Sequence, residues 1–508
     1  MMIKAIDKIL NRITMYRLVV YELAFLLLVA FIMGFFGVFP VNPIFLVFSV
    51  AFIFSVSWIV NKIFARMFEV PSNPESTWIT ALILALIISP PTLWIDMQYL
   101  PLAFWASAVA IASKYILAIR KKHVFNPVAF GVAATSVVLG LSASWWIGTL
   151  PMVPFVLIGG LLIVRKIRRF DLWFAFIGVF TVGIAFYYFG RGLDVVRSLS
   201  QALLYAPTFF FATVMLTEPM TTPPSKLLRV LYGALVGLLF LPNVNIGSFY
   251  FTPELALLVG NVFSYLVSPK YKLNLKLKRV VRLSRDVYEF AFASDRPVSF
   301  RPGQYMEWTL AHSHPDSRSV RRFFTLASSP TERELSIGVK FYEPGSTFKK
   351  AMLAMSTGKS IVASEIAGDF TLPKNKNKKL VFIAGGIGVT PFRSMIQYLL
   401  HNREARPITL LYFNKTPNDA VYSDIFERAK KELGIKTVYS YSDDGVHLSP
   451  EALSALFAQT VKREVPDFLE RKFYISGPQA MVTSYKAILR GIGVKRSKIK
   501  TDYFPGFV

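Results

Sequence analysis

The sequence predicts a multidomain chain: a polytopic all-α membrane domain of about ten transmembrane helices, an antiparallel β-barrel domain, and an α/β domain built on a parallel sheet. Three observations predict it. Apolar segments fill the first half, separated by loops in which basic residues recur on alternate turns. At about Lys270 the composition changes to short alternating strands between Gly- and Pro-containing turns. From Lys379 onward, strand-like runs alternate with helical ones around a glycine-rich turn. The 508 residues are 53% hydrophobic, too long and too apolar for one soluble domain. The expected boundaries are 1–269, 270–375 and 376–508.

The first seventeen residues are basic and amphipathic and run into an apolar segment without a small-residue cleavage site, as in a cytoplasmic lead-in helix. Apolar segments follow at about 17–38, 43–64, 77–90, 99–119, 127–143, 151–164, 172–189, 198–216, 227–241 and 251–267. Several are shorter than the roughly 20 residues of a simple crossing. Lys62, Arg66, Arg120, Lys121, Lys122, Arg165 to Arg169, Lys226 and Arg229 follow even-numbered segments, whereas the loops near 38–42, 142–150 and 242–248 carry no charge. The loop at 190–197 departs mildly from the pattern. This bias places both termini, and everything after Lys270, in the cytoplasm of a cell-membrane protein bathed in lipid. The net charge of +26 belongs to these loops and not to one face of a helix, which argues against nucleic acid. The absence of cysteine excludes disulfides, thiol catalysis and cysteine-ligated iron–sulfur clusters.

Three polar motifs face the cytoplasmic side: Asn73-Pro-Glu-Ser-Thr77, His123-Val-Phe-Asn126-Pro127, and Thr217-Glu218-Pro-Met-Thr221-Thr222-Pro223. Each is loop punctuation by itself. Together they resemble the membrane family that includes the D subunit of the Rnf complex and the B subunit of sodium-pumping NADH:quinone oxidoreductase. That resemblance covers about the first half and implies a flavin in the membrane domain, with His123, Asn126, Glu218, Thr221 and Thr222 as its candidate contacts. The Ser-Gly-Ala-Thr attachment sequence of that family is missing, so the implied flavin is a noncovalent FMN or riboflavin. Paired-histidine haems are disfavoured, because only His123 among five histidines lies near a span. Glu22 and Glu254 are read as satisfied carboxylates near span ends.

In the second half, Arg322-Phe323-Phe324-Thr325 has the form Arg-x-aromatic-Ser/Thr. Arginine supplies a fork for a pyrophosphate, an aromatic ring suits a flat apolar isoalloxazine, and a hydroxyl suits flavin N5. Alternation puts Arg322 with Phe324 on one face, and Phe323 with Thr325 on the other. An aromatic core strand reads the same way. The motif resembles the FAD signature of the ferredoxin–NADP reductase superfamily, as do Arg301-Pro-Gly-Gln-Tyr305 and Gly368-Asp-Phe-Thr-Leu372. Val339 and Lys340, ending the strand 334–339, join the candidate set. Gly345, Ser346 and Thr347 follow, as a phosphate-holding turn or a plain helix cap.

Gly385-Gly386-Ile387-Gly388-Val389-Thr390-Pro391 ends an apolar strand and opens a helix over 392–400. Thr390 suits the N-cap and Pro391 the first helical position. Gly477, Pro478 and Met481 follow a later strand and resemble the superfamily's second nucleotide contact. Phe504 is the candidate terminal aromatic beside the flavin, or an ordinary packed end. These motifs keep the superfamily's order. The resemblance implies hydride transfer from NADH or NADPH to FAD, with Thr390 and Phe504 near the nicotinamide and Thr325 near the flavin. One lysine in Asn414-Lys415-Thr416 leans toward NADH. The expected function is therefore membrane NAD(P)H-dependent flavin oxidoreduction, delivering electrons through a membrane flavin to a quinone or an extracytoplasmic acceptor. The alternative is a redox-regulated small-molecule transporter. A homo-oligomer or a flavoprotein partner is left open.

Overall fold

The structure, a computed structural model, describes the chain except residues 1–5, 8, 11–12, 69–73, 120–121, 243, 248, 269–272, 314, 317–319, 344, 443–449 and 505–508. Asn73 and Pro344 of the sequence motifs therefore lie outside the described residues. The chain divides into two compact units, Met1–Tyr271 and Lys272–Val508.

The first unit is helical. A helix or broken helix stands at each of the ten apolar segments: α1 (Met15–Phe35), α2 (Pro43–Met67), α3 (Pro74–Ile87), α4 (Tyr99–Ile116), α5 (Pro127–Leu139), α6 (Val153–Ile167), α7 (Phe170–Phe189), the pair α8 (Val195–Leu204) and Thr208–Met215, α9 (Lys226–Leu239) and α10 (Pro253–Val267). Five of these are long and apolar enough to cross a membrane, or six if the pair bent by 59° counts as one span. Helices α3, α5, α9 and α10 are shorter because proline or a polar loop cuts each apolar run. Asn42 and Asn126 cap α2 and α5 through their side chains, each followed by proline at the first position. Phe186 and Val138 are 80% and 77% exposed, leaving outer faces that lipid would solvate. Residues Phe211–Met215 wind as a π-helix after the bend, a rare turn.

The second unit begins with six antiparallel strands: β1 (Leu273–Arg282), β2 (Val287–Ser294), β3 (Tyr305–Thr309), β4 (Arg321–Thr325), β5 (Leu335–Lys340) and β6 (Ser360–Ala367). Their order is β4-β3-β6-β1-β2-β5. The edge strands β4 and β5 are stitched by Ala327 N–H to Ser336 O at 2.8 Å, which curls the sheet toward a barrel. Strand β6 was not anticipated from the sequence, where Ser364 and Glu365 interrupt its apolar run. The short helix α11 (Thr347–Leu353) lies between β5 and β6.

Five parallel strands complete the unit: β7 (Leu380–Gly385), β8 (Ile408–Asn414), β9 (Lys436–Tyr441), β10 (Lys472–Pro478) and β11 (Ile499–Phe504), ordered β9-β8-β7-β10-β11. Every residue of the central β7 is buried, as a strand covered on both faces requires. Helices α12 (Thr390–His401) and α13 (Ser423–Leu433) cover one face through Phe392, Leu399 and Phe426. Helices α14 (Pro450–Glu464) and α15 (Gln479–Gly491) cover the other through Phe457, Val461 and Leu489.

Candidate active site

The chain runs from β7 to β8 and β9 on one side, then crosses to β10 and β11 on the other. That reversal opens a crevice at the carboxyl ends of β7 and β10, where parallel sheets take their ligands. Gly385, Gly386, Gly388, Val389, Thr390, Pro391, Gly477, Pro478 and Met481 all lie at this edge. A Cβ on Gly388 would fall 2.5 Å from both Gly477 Cα and Ser476 O. One on Gly385 would fall 2.3 Å from Met481 Sδ. Gly386 has φ +52°, a left-handed turn that glycine makes without strain. Phe504 pairs with Pro478 across β10 and β11, so its backbone reaches the same edge; its side chain lies outside the described residues.

Thr390 is not the N-cap. Gly386–Val389 already forms a 3-10 turn that runs into α12, so Val389 holds the cap position and Thr390 is the first helical residue. The buried Thr390 hydroxyl donates back to Ile387 O at 3.2 Å. The glycines allowed the helix to wind one turn earlier than the Thr-Pro pair suggested.

On β4, Arg322 and Phe324 both meet Phe348 of α11, the guanidinium at 5.1 Å and the ring at 6.1 Å. Phe323 points the other way, edge-on to Tyr305 at 5.7 Å, and is 44% exposed. Thr325 is buried, and its Oγ1 has no hydrogen-bond partner. Val339 is buried in β5. Lys340 pairs with Asp286 at 3.0 Å and offers its carbonyl to Lys349 Nζ. Ser346 caps α11 by accepting from Lys349 N. Gly345 sits in the turn before it.

Sequence reasoning missed Asp316. Its carboxylate accepts from Thr347 N at 3.1 Å and lies 3.7 Å from Arg322. Thr347 Oγ1 accepts from Asp316 N–H at 2.9 Å and meets His312 Nε2 at 3.0 Å. An internal anion thus occupies groups that the sequence assigned to a phosphate. Asp316→Asn is expected to tighten FAD binding about fivefold, roughly 1 kcal/mol, measured by flavin fluorescence titration of the apoprotein.

The two lobes of this unit meet close to these groups. A Cβ on Gly338 of β5 would fall 2.8 Å from Thr390 Cγ2 and 2.9 Å from Tyr422 Oη. Arg393 of α12 grips Glu332 of the antiparallel lobe through Nη1 and through Nη2 at 2.9 Å, and also donates to Ala327 O at 3.1 Å. Burial pushes the Tyr422 hydroxyl well above its ordinary range, so it stays a neutral donor. Sequence reasoning also passed over Ser476, whose buried Oγ lacks a partner beneath Gly388. Thr325 Oγ1 and Ser476 Oγ are unused donors, and Gly385, Gly388 and Gly477 let the turn after β7 pack directly on β10 and Met481. These features fit FAD and a nicotinamide dinucleotide.

The helical unit gathers its loop motifs into one polar cluster. Asn126 Nδ2 donates to Glu218 Oε2 at 2.7 Å, and Asn126 N donates to Asn261 Oδ1 at 2.7 Å. Thr221 Oγ1 donates to Glu218 at 3.4 Å, and Lys114 donates to Ser76 O at 2.8 Å. Thr222 instead bonds Pro219 O at 3.2 Å. His123 ends a two-residue strand paired with Ala118. Burial pushes the Glu218 carboxyl up to about 6, against the pull of Lys114 and the hydrogen bonds from Asn126 and Thr221. Glu254 accepts from Trp145 Nε1 at 3.3 Å. Glu22 departs from its expected place: it is the eighth residue of α1, 9% exposed, with Oε1 unpartnered. Its helix packs along α6, so the carboxyl is enclosed between helices and is not the satisfied carboxylate expected.

Residues 382–487 match the family model for the oxidoreductase NAD-binding domain. The glycine betaine monooxygenase reductase subunit of Chromohalobacter salexigens is 26% identical over 46% of this chain and 64% of its own. A flavohemoprotein of Candida albicans is 26% identical over 45% of this chain and 58% of its own. The reductase component of propane 2-monooxygenase from Rhodococcus jostii is 25% identical over 45% and 62%. The chain thus spans about three fifths of these curated relatives. Among solved structures, ferredoxin-NADP+ reductase from Plasmodium falciparum is 19% identical, with a TM-score of 0.40, over 46% of this chain and 97% of its own.

Proposed function

We propose that the chain, whose second half is a ferredoxin reductase-like module with an NAD-binding domain, is a membrane NAD(P)H-dependent flavin oxidoreductase. The supporting observation is the convergence of Gly385, Gly388, Gly477 and Met481 at the reversal of the parallel sheet. Residues 270–375 would hold FAD and residues 376–508 the nicotinamide nucleotide. Bound FAD would accept a hydride and release electrons singly.

The protein's own contribution is placement. Arg322 fixes an anionic pyrophosphate, and Phe323 with Tyr305 offers an aromatic surface. Thr325 holds a hydroxyl toward the flavin ring. Gly385 and Gly388 let the turn after β7 lie close against Pro478, Gly477 and Met481, which would shape the edge that meets the nucleotide. Val389, Thr390 and Pro391 start the helix on which the nucleotide's phosphates bear. No side chain is required to move a proton. Asn414 at the end of β8, followed by one lysine, favours NADH over NADPH.

In the helical unit, 1–269, the cluster of Asn126, Glu218 and Thr221, with His123 and Thr222 nearby, is the seat we assign to a noncovalent FMN or riboflavin. A quinone or an extracytoplasmic acceptor is then the electron sink. We assign both termini and the reductase module to the cytoplasm, a reading supported by the basic loop ends. Extraction of flavins from the purified full chain tests this reading. We expect FAD and one FMN or riboflavin per chain, both released by denaturation. FAD alone would remove the membrane flavin and leave direct delivery from FAD to the acceptor.

A further inference from the structure

Two successive glycines on α6 mark an unusual place in the helical unit. A Cβ on Gly159 would lie 1.8 to 2.0 Å from all three terminal atoms of the Glu22 carboxyl group. The carboxyl of α1 therefore lies directly over the bare backbone of α6. A Cβ on Gly160 would lie 2.3 Å from Thr213 Oγ1. Thr213 donates to Phe209 O at 2.7 Å and sits within the π-helical turn of the bent span. The same two residues thus receive a carboxyl from one side and a broken helix from the other.

Glu22 is 9% exposed and its Oε1 has no hydrogen-bond partner. The charged groups on the surrounding helices are engaged elsewhere. Arg17 of α1 pairs with Glu75 of α3 at 3.2 Å. Arg165 of α6 holds Asp7 through two bonds of 2.7 and 2.8 Å, and Lys166 donates to Leu10 O at 2.6 Å. Lys62 of α2 lies over the Trp58 ring, and Arg66 stands at that helix's far end. An ionised carboxylate enclosed without a counter-charge costs several kcal/mol. No cluster of three or more acidic, histidine or cysteine side chains occurs among the described residues, and one carboxyl supplies too few oxygens for a dehydrated metal ion.

We propose that Glu22, seated over Gly159, is a proton-binding site inside the helical unit. The step is a simple one: hydronium gives up a proton, breaking one of its O–H bonds and leaving water, the proton forms an O–H bond with the unpartnered Oε1, and it leaves by the reverse. No electron moves, and the site stands independently of the electron path described above. Glycine at 159 is what admits the carboxyl, since any side chain there would stand in its place.

Infrared spectroscopy of the full chain in liposomes tests this, by subtracting the spectrum of Glu22→Gln from that of the wild type. The expected result is a protonated-carboxyl C=O stretch at neutral pH that shifts in D2O and gives way to carboxylate bands as pH rises. The absence of that band at every pH where the protein stays folded would overturn the proposal. Its displacement by sodium chloride, but not by choline chloride, would also overturn it in favour of a sodium site. Should Glu22→Gln fail to fold, Glu22→Asp carries the same test: it keeps the acid, and the band must move relative to wild type.

Discussion

Arg322→Ala is expected to yield a folded protein that has lost its FAD. The guanidinium is 10% exposed, held over Phe348 and close to Asp316. Removing one partner of a buried charge-assisted contact costs about 3 kcal/mol, roughly a hundredfold in Kd. Flavin content after purification, followed by titration with added FAD, measures the loss. Arg322→Lys should recover only part of it, because an ammonium cannot grip two oxygens in the plane of a fork. The variant also separates the two proposed flavin sites. FMN or riboflavin should persist in Arg322→Ala at the wild-type level. If FAD stays bound with unchanged affinity, Arg322 does not contact the cofactor and β4 is a core strand only.

Gly388→Val should have a comparable effect on the other substrate. Its branched side chain would enter space already filled by Gly477 Cα and Ser476 O, and both are backbone that cannot swing aside. Overpacking of this kind costs about 1–3 kcal/mol in stability. The functional cost is larger, because the turn proposed to receive the nucleotide must open away from β10. Stopped-flow reduction of bound FAD by NADH is expected to slow at least roughly a hundredfold, with FAD content unchanged. Gly491→Ala is the control: a Cβ there meets nothing within 4 Å. Equal slowing in both variants would mean that the crevice at β7 and β10 is not where nicotinamide arrives.

Much of this organisation was legible because it rests on local rules. Asn-Pro and Gly-Pro punctuation marked where helices start, and the alternation in LNLKLKRVVR marked β1. The glycine run of 385–388 marked a strand-to-helix turn, and the packing of Gly388 on Gly477 within it was not visible from the run itself. What escaped depends on long-range contact. Glu22 looked interfacial by its place in an apolar run, and only the packing of α1 on Gly159 encloses it. Asp316 has no motif; its importance comes from folding back onto Thr347 and Arg322. Strand β6 was hidden by Ser364, which is buried and donates to Glu307 at 3.5 Å. The role given to Thr390 erred by one residue, since glycine lets a helix begin before its usual polar cap.

The sulfur of Met481 rests where a side chain on Gly385 would stand. The chain has 14 methionines and no cysteine, so no thiol is present to absorb peroxide first. Conversion of Met481 to its sulfoxide would add a polar oxygen to a space with no slack. Oxidative damage in this protein would therefore reach the nucleotide turn itself, and its repair would depend on a sulfoxide reductase, not on thiol exchange.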